Sequence, residues 1–150
     1  SYRNVLVVSE GDQQTATSIV NRRGDVNRAM SVVGSHAPVA EMIATPALLT
    51  TERLDRLRRA DAIARQLSHE SGFDAQIWQF PVVLIPLGVE GRPDSIVLRP
   101  IQSVDGMTAD AVTIPSELLE RMVAQLKQVE GLCAIFCDLT NKPPGTIEWE

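Results

Sequence analysis

Pro115-Ser-Glu-Leu-Leu-Glu-Arg-Met-Val-Ala-Gln-Leu-Lys-Gln-Val-Glu-Gly-Leu-Cys-Ala-Ile-Phe-Cys-Asp138 changes its hydrophobic period at the glycine. Before Gly131, apolar side chains fall at Leu118, Leu119, Met122, Val123, Leu126 and Val129, spacings of three and four that mark one face of a helix over 115–130. Pro115 suits the first turn, where a missing amide costs nothing, and Gly131 suits the stop. After it, Leu132-Cys-Ala-Ile-Phe-Cys-Asp138 is apolar without alternation, as expected of a strand buried on both faces. A helix that leads directly into a buried strand is half of an α/β layer.

Upstream, a second helix is predicted from Thr50 or Thr51 to Gly72. A threonine hydroxyl can accept from the free amides of the first turn, and Leu54, Leu57, Ala60, Ile63, Ala64 and Leu67 form the apolar face. Its other face carries Arg53, Arg56, Arg59 and Arg65 among Glu52, Asp55 and Asp61. That is a solvated face with ion-pair partners close by rather than an anion site. Residues 76–87 and 95–102 are β-rich and joined by the hairpin-like Gly88-Val-Glu-Gly-Arg-Pro93. Residues 141–150 form a turn followed by a short final strand. From residue 50 the order is helix-strand-strand-helix-strand-strand, an α+β, two-layer fold with helices on one face of a mixed or antiparallel sheet. Residues 4–9, 12–22 and 26–33 precede it as strand, helix and strand, a partial repeat of the same unit. The chain thus divides into a partial repeat over 1–44 and a complete unit over 45–150.

Composition sets bounds on function. With 150 residues, 44% hydrophobic and 22% charged, the chain is an ordinary globular protein rather than a disordered one. No apolar run approaches the roughly 20 residues of a membrane span, and no signal peptide is visible, so the expected compartment is the cytoplasm, without membrane association. A net charge of -5 and 4% aromatic residues argue against nucleic acid as a partner. Cys133 and Cys137 are four strand residues apart, about 13 Å, beyond the roughly 7 Å a disulfide spans. They are expected to be small buried side chains, with no metal site.

Candidate chemistry is sparse. Glycine-rich phosphate loops, nucleophile elbows and HExxH are absent, and His36 and His69 stand in unrelated contexts, so no catalytic residue is assigned. The exception is the tail. Lys142 precedes Pro143-Pro144, and the backbone amides of Gly145, Thr146 and Ile147 follow. A lysine beside free amides can cradle a phosphate, and Glu148 can accept from another donor of the same ligand. The competing reading, which local chemistry favours, is a proline-rich turn into an edge strand. Gln79, inside the apolar Ile77-Trp-Gln-Phe-Pro-Val83, is either hydrogen-bonded internally or lines a pocket. Arg99, sharing a strand face with Val97 and Ile101, calls for an ion-pair partner.

The ending Asp138-Leu-Thr-Asn-Lys-Pro-Pro-Gly-Thr-Ile-Glu-Trp-Glu150 resembles the C-terminus of glutamine-hydrolysing GMP synthases, D-x-[TS]-x-K-P-P-[AG]-T-I-E-W-E. Val97-Leu-Arg-Pro-Ile-Gln-Ser-Val-Asp-Gly-Met-Thr-Ala109 is similar to the strand and D-[FG]-M-T-A segment of that family. Thr45-Pro-Ala-Leu-Leu-Thr-Thr51, Glu70-Ser-Gly72 and Gln79-Phe-Pro-Val-Val-Leu-Ile-Pro-Leu87 resemble its long-form members, whose C-terminal region is duplicated. The likeness is strong over 45–150 and weak over 1–44. It implies a ligase domain that mediates dimerisation and completes the XMP site of an enzyme making GMP from XMP, ATP and glutamine. It implies that Lys142 contacts the XMP phosphate, that Ile147 and Glu148 lie on the ligand, and that Gln79 contacts the nucleotide. The implied partners are XMP, the ATP-pyrophosphatase and glutaminase domains (in the same or another chain) and a second copy in a homodimer. ATP and Mg²⁺ would be bound elsewhere in the full enzyme, with no cofactor held by this chain. The alternative is a stand-alone nucleotide-binding or regulatory module of the same family without ligase activity. The family's tyrosine and arginine positions are occupied here by Cys137 and Ala134, and its ATP-binding SGGxDS loop is absent.

Overall fold

The Thr50 side chain accepts a hydrogen bond from the Arg53 amide at 3.3 Å, and Gly72 takes the left-handed conformation at φ 73°. Between them runs α2 (Thr51–Ser71), with both ends set by the residues that the sequence marks for them. The computed structural model describes residues 3–8 and 13–149. The ends of the expected strand 4–9 (Ser9) and helix 12–22 (Asp12), and the last residue of the tail (Glu150), fall outside the described residues.

The remaining elements are β1 (Asn4–Val8), α1 (Gln13–Arg22), β2 (Val26–Ser35), β3 (Ile43–Ala44), β4 (Val82–Ile85), β5 (Leu87–Gly88), β6 (Asp94–Leu98), β7 (Ile101–Gln102), β8 (Asp110–Ala111), α3 (Ser116–Leu126) and β9 (Leu132–Asp138). Five strands form one mixed sheet in the order β1-β2-β9-β6-β4. β1 runs parallel to β2 and β6 parallel to β9, while β2 and β9 meet antiparallel, with Val32 opposite Phe136. Two strand-helix-strand units, β1-α1-β2 and β6-α3-β9, therefore face each other across the β2/β9 seam.

Helices cover one face, as the α+β reading requires. Ala60, Ala64 and Leu67 of α2 and Leu118, Met122 and Leu126 of α3 close over Ile96, Leu98, Leu132 and Ile135. Ala16 and Val20 of α1 close over Val26 and Ala29 on the same side. The opposite face carries Met30, Val97, Ala134 and Phe136. Around them, Val5, Val7, Val32, Val83 and Ile85 are only half-buried.

Four details depart from the sequence reading. The expected strand 76–87 is broken by its prolines: residues 77–81 are irregular apart from a bridge between Gln79 and Ile101, and β4 and β5 flank Pro86. The strand 95–102 splits at Arg99-Pro100 into β6 and β7 because Pro100 offers no amide to the ladder. The helix 115–130 ends at Leu126 and tightens into i→i−3 turns, which bring Val129 into the core before Gly131 (φ 82°). The final strand does not form; the tail is irregular and touches the ladder only where Lys142 pairs with Ala109.

On the arginine-rich face of α2, Arg53 and Arg56 converge on buried Asp94 at the start of β6, and Arg58 and Arg65 pair with Asp55 and Asp61. The Arg58 and Arg65 pairs are solvated, as expected of that face, whereas Arg53 and Arg56 are drawn in onto a buried carboxylate.

Candidate functional site

A backbone ladder links the sites the sequence singled out. Ile101 donates its amide to the Gln79 carbonyl at 2.9 Å, β7 pairs with β8, and Ala109 exchanges hydrogen bonds with Lys142 at 2.7 and 3.0 Å. Gln79 and Lys142 thus stand three strand spacings apart at one end of the fold, with Lys142 offset by two residues along the ladder. The loop 103–108 fills the space between them. It is shaped by the Ser103 hydroxyl, which accepts from Gly106, and the Asp105 carboxylate, which accepts from Met107. The Lys142 ammonium donates to the Gly106 carbonyl at 2.7 Å. Gly106 (φ 72°) packs so closely on the Trp78 ring that an added Cβ would lie 3.3 Å from it. Gln79 is exposed and lies at the rim of a cavity of about 540 Å³, with Ser68, His69, Trp78 and Phe80 among its lining residues. Of the two readings left open for Gln79, the pocket one describes its position.

The tail lies over the end of the helix-free face. Asp138, at the end of β9, is 3% exposed and sits between Arg28 of β2 (3.0 Å) and Arg99 after β6 (2.8 Å), which are 1% and 0% exposed. Arg99 has the ion-pair partner its position demanded. Burial pushes the Arg99 guanidinium down from its ordinary pKa; Asp138 opposes that shift and the charge of Arg28 adds to it. The two guanidinium groups also reach the tail. Arg99 donates to the carbonyls of Thr140, Thr146 and Ile147 at 2.9, 2.7 and 3.1 Å. Arg28 donates to the Thr146 carbonyl at 3.1 Å and to the Glu148 carbonyl. The Trp149 indole donates to Asp138 at 2.6 Å while its ring lies 5.3 Å from the Arg28 guanidinium carbon.

One part of the cradle reading needs correction. The Gly145 amide is not free, because it donates to the Asn141 carbonyl at 3.0 Å. Gly145 itself is buried against Thr140 and Arg28, where a Cβ would sit 3.2 and 3.3 Å from them, so this glycine serves close packing. The Ile147 carbonyl is held by Arg99, Glu148 is exposed, and Lys142 is half-buried. The sequence reading missed Arg28 and Asp138. The available signal was a charged residue inside the apolar run Val26-Asn-Arg-Ala-Met30, the same signal that flagged Arg99.

Cys133 and Cys137 are free thiols; Cys133 is buried as expected, Cys137 only half-buried, and desolvation of its sulfur pushes Cys137 up to about 12. Among the described residues, no cluster of three or more His, Cys, Asp or Glu side chains is placed to hold a metal ion. Nor, among them, is any helix long and apolar enough to cross a membrane.

The family model for the GMP synthase C terminal domain matches residues 66–149, more than half of the chain. This chain belongs to the GMP synthase C-terminal domain family. The match takes in Gln79, the loop 103–108 and the whole described tail. Relatives named GMP synthase [glutamine-hydrolyzing] agree with it. The Mycobacterium leprae (strain Br4923) protein is 50% identical over 111 residues, 68% of this chain and 21% of that protein. The Nocardia farcinica protein is 47% identical over the same length and shares, and the Leifsonia xyli subsp. xyli protein 47% identical, with 22% of its length covered. The chain therefore spans about a fifth of the length of the curated relatives it matches.

Proposed function

We propose that this GMP synthase C-terminal domain completes an XMP-binding site for a glutamine-hydrolysing GMP synthase, with Lys142 on the phosphate, Ile147 and Glu148 on the nucleotide, and Gln79 at the far rim. The observation that supports this most directly is the ladder that gathers Gln79, the loop 103–108 and Lys142 at one end of the fold. Among the described residues, the Lys142 ammonium donates to a neutral carbonyl there, which an anionic phosphate oxygen would replace favourably. The ATP-pyrophosphatase and glutaminase domains would supply the rest of the pocket and the chemistry, with ATP and Mg²⁺. The division into a partial repeat at 1–44 and a complete unit at 45–150 belongs to the same proposal. It is supported by the two strand-helix-strand units opposed across β2/β9. Self-association is also proposed, because the helix-free face is half-exposed and Ile43, Leu48 and Leu49 are 67%, 81% and 83% exposed.

The test is XMP titration of the domain joined to its ATP-pyrophosphatase segment. A hydrogen bond to a charged group is worth about 1.5–3 kcal/mol, so Lys142→Ala should weaken XMP roughly ten- to a hundredfold. Its melting temperature should barely move. Unchanged XMP affinity, or a loss that follows unfolding, would leave the tail a structural edge.

A further inference from the structure

We propose that Arg28, Arg99 and Asp138 are positioning residues for the nucleotide-bearing tail, so that the N-terminal β1-α1-β2 unit is a working part of the site. This rests on the reading that the tail holds XMP, and deepens it. Two guanidinium groups share one carboxylate here, leaving an excess of one positive charge in a cluster where each residue is at most 3% exposed. Burying an uncompensated charge is costly, and neither arginine can shed its proton at ordinary pH. The compensation comes from the tail: the carbonyls of Thr140, Thr146, Ile147 and Glu148 turn their negative ends toward the two arginines. The tail is thus the solvent shell of a buried cation: it meets the outward guanidinium donors of both arginines, and only Arg28 Nε is left without a hydrogen-bond partner among the described residues of this cluster.

The residues that depend on this path are those assigned to the ligand. Ile147 and Glu148 are held through their own carbonyls, which leaves the Glu148 side chain exposed. Lys142 lies between Thr140, whose carbonyl is fixed by Arg99, and Thr146, whose carbonyl is fixed by both arginines. The N-terminal unit adds further ties to the start of the tail. The Leu139 amide donates to the Ala29 carbonyl at 2.9 Å, the Ala29 amide to the Thr140 hydroxyl at 2.8 Å, and the Gln13 amide group to the Asn141 side chain at 2.5 Å. Half of the clamp, Arg28, therefore comes from the segment least like the family.

Lysine substitutions separate aim from fold. In Arg28→Lys and Arg99→Lys a cation remains beside Asp138, but a single ammonium cannot reproduce the planar fork that bonds carboxylate and carbonyls together. Arg53→Lys, at the Asp94 cluster at the start of β6, is the structural control. Two readouts are taken: backbone hydrogen exchange of residues 139–149 against β9, and XMP titration of the domain joined to its ATP-pyrophosphatase segment. Expected are faster exchange in the tail with β9 still protected, and at least fivefold weaker XMP, in Arg28→Lys and Arg99→Lys but not in Arg53→Lys. Unchanged tail exchange overturns the clamp outright. Faster exchange with unchanged XMP affinity, while Lys142→Ala loses affinity, overturns the positioning role and leaves the XMP reading standing. A loss matched by Arg53→Lys at equal change in melting temperature reduces the effect to general stability and overturns it too. If Lys142→Ala also binds XMP normally, the XMP reading itself has failed.

Discussion

Replacing Asp138 with alanine should be among the most damaging single changes in the chain. The carboxylate accepts from Arg28 at 3.0 Å, from Arg99 at 2.8 Å, from the Trp149 indole at 2.6 Å and, through its other oxygen, from the Thr140 amide at 2.8 Å. Its removal leaves two buried cations facing each other with no counter-charge in the cluster, only carbonyl dipoles, the Thr146 hydroxyl and the Trp149 ring. Breaking a buried ion pair from one side costs about 3–5 kcal/mol. A domain's whole stability is about 5–15 kcal/mol, so Asp138→Ala removes about a fifth of it or more. For a chain of this size each kcal/mol shifts the melting temperature by about 2–4 °C, which gives a drop of about 6–20 °C. Asp138→Asn keeps the shape and one acceptor oxygen but not the charge, and should fall between wild type and alanine. Urea denaturation of the three proteins, with the slope checked for constancy, measures this directly. Added salt should rescue little, since screening acts weakly on a buried cluster. A loss within about 0.5 kcal/mol, the scatter of ordinary surface changes, would refute the reasoning. The arginines would then have to be hydrated rather than neutralised by Asp138.

Two further outcomes follow from the packing. Light scattering at micromolar concentration should show self-association, weakened by Leu48→Ser with Leu49→Ser if these exposed leucines lie in the contact; a strictly monomeric wild type would end that proposal. Native-state alkylation should leave Cys137 unmodified throughout pH 7–10, because a thiol pushed up to about 12 by burial holds almost no thiolate there; an inflection near 8–9 in its labelling rate would show that it is solvated.

The helices were legible because their signals are local. Thr50, Gly72 and the three-four spacing of α2 and α3 act within one or two turns, and tertiary packing had no reason to override them. The strands were legible as apolar runs but not as ladders. Pro81, Pro86 and Pro100 cut the runs, and nothing local states that β2 would pair with β9 across a hundred residues. The parallel pairing of β1 with β2 and of β6 with β9 follows from having a helix between each pair, which the order of elements already implied.

The tail shows most clearly where local reading stops. Its composition allowed two descriptions, a phosphate cradle and a turn into an edge strand, and the structure adopts neither in full. The strand fails because the tail carbonyls are engaged by Arg28 and Arg99 rather than by a neighbouring strand. The cradle loses one amide because Gly145 closes a turn back onto Asn141. The first outcome traces to residues 28, 99 and 138, which lie far apart in sequence and meet only where β2, β9 and β6 line up. Arg99 alone signalled that a partner was needed. Neither the partner's identity nor the second arginine could be read from its neighbours, because an ion pair carries no sequence period. The consequence is that the family's ending can be recognised from its letters, whereas what aims it lies in strands on both sides of the seam. Changes in Lys142 should therefore act on ligand affinity alone, and changes in Asp138 on stability and affinity together.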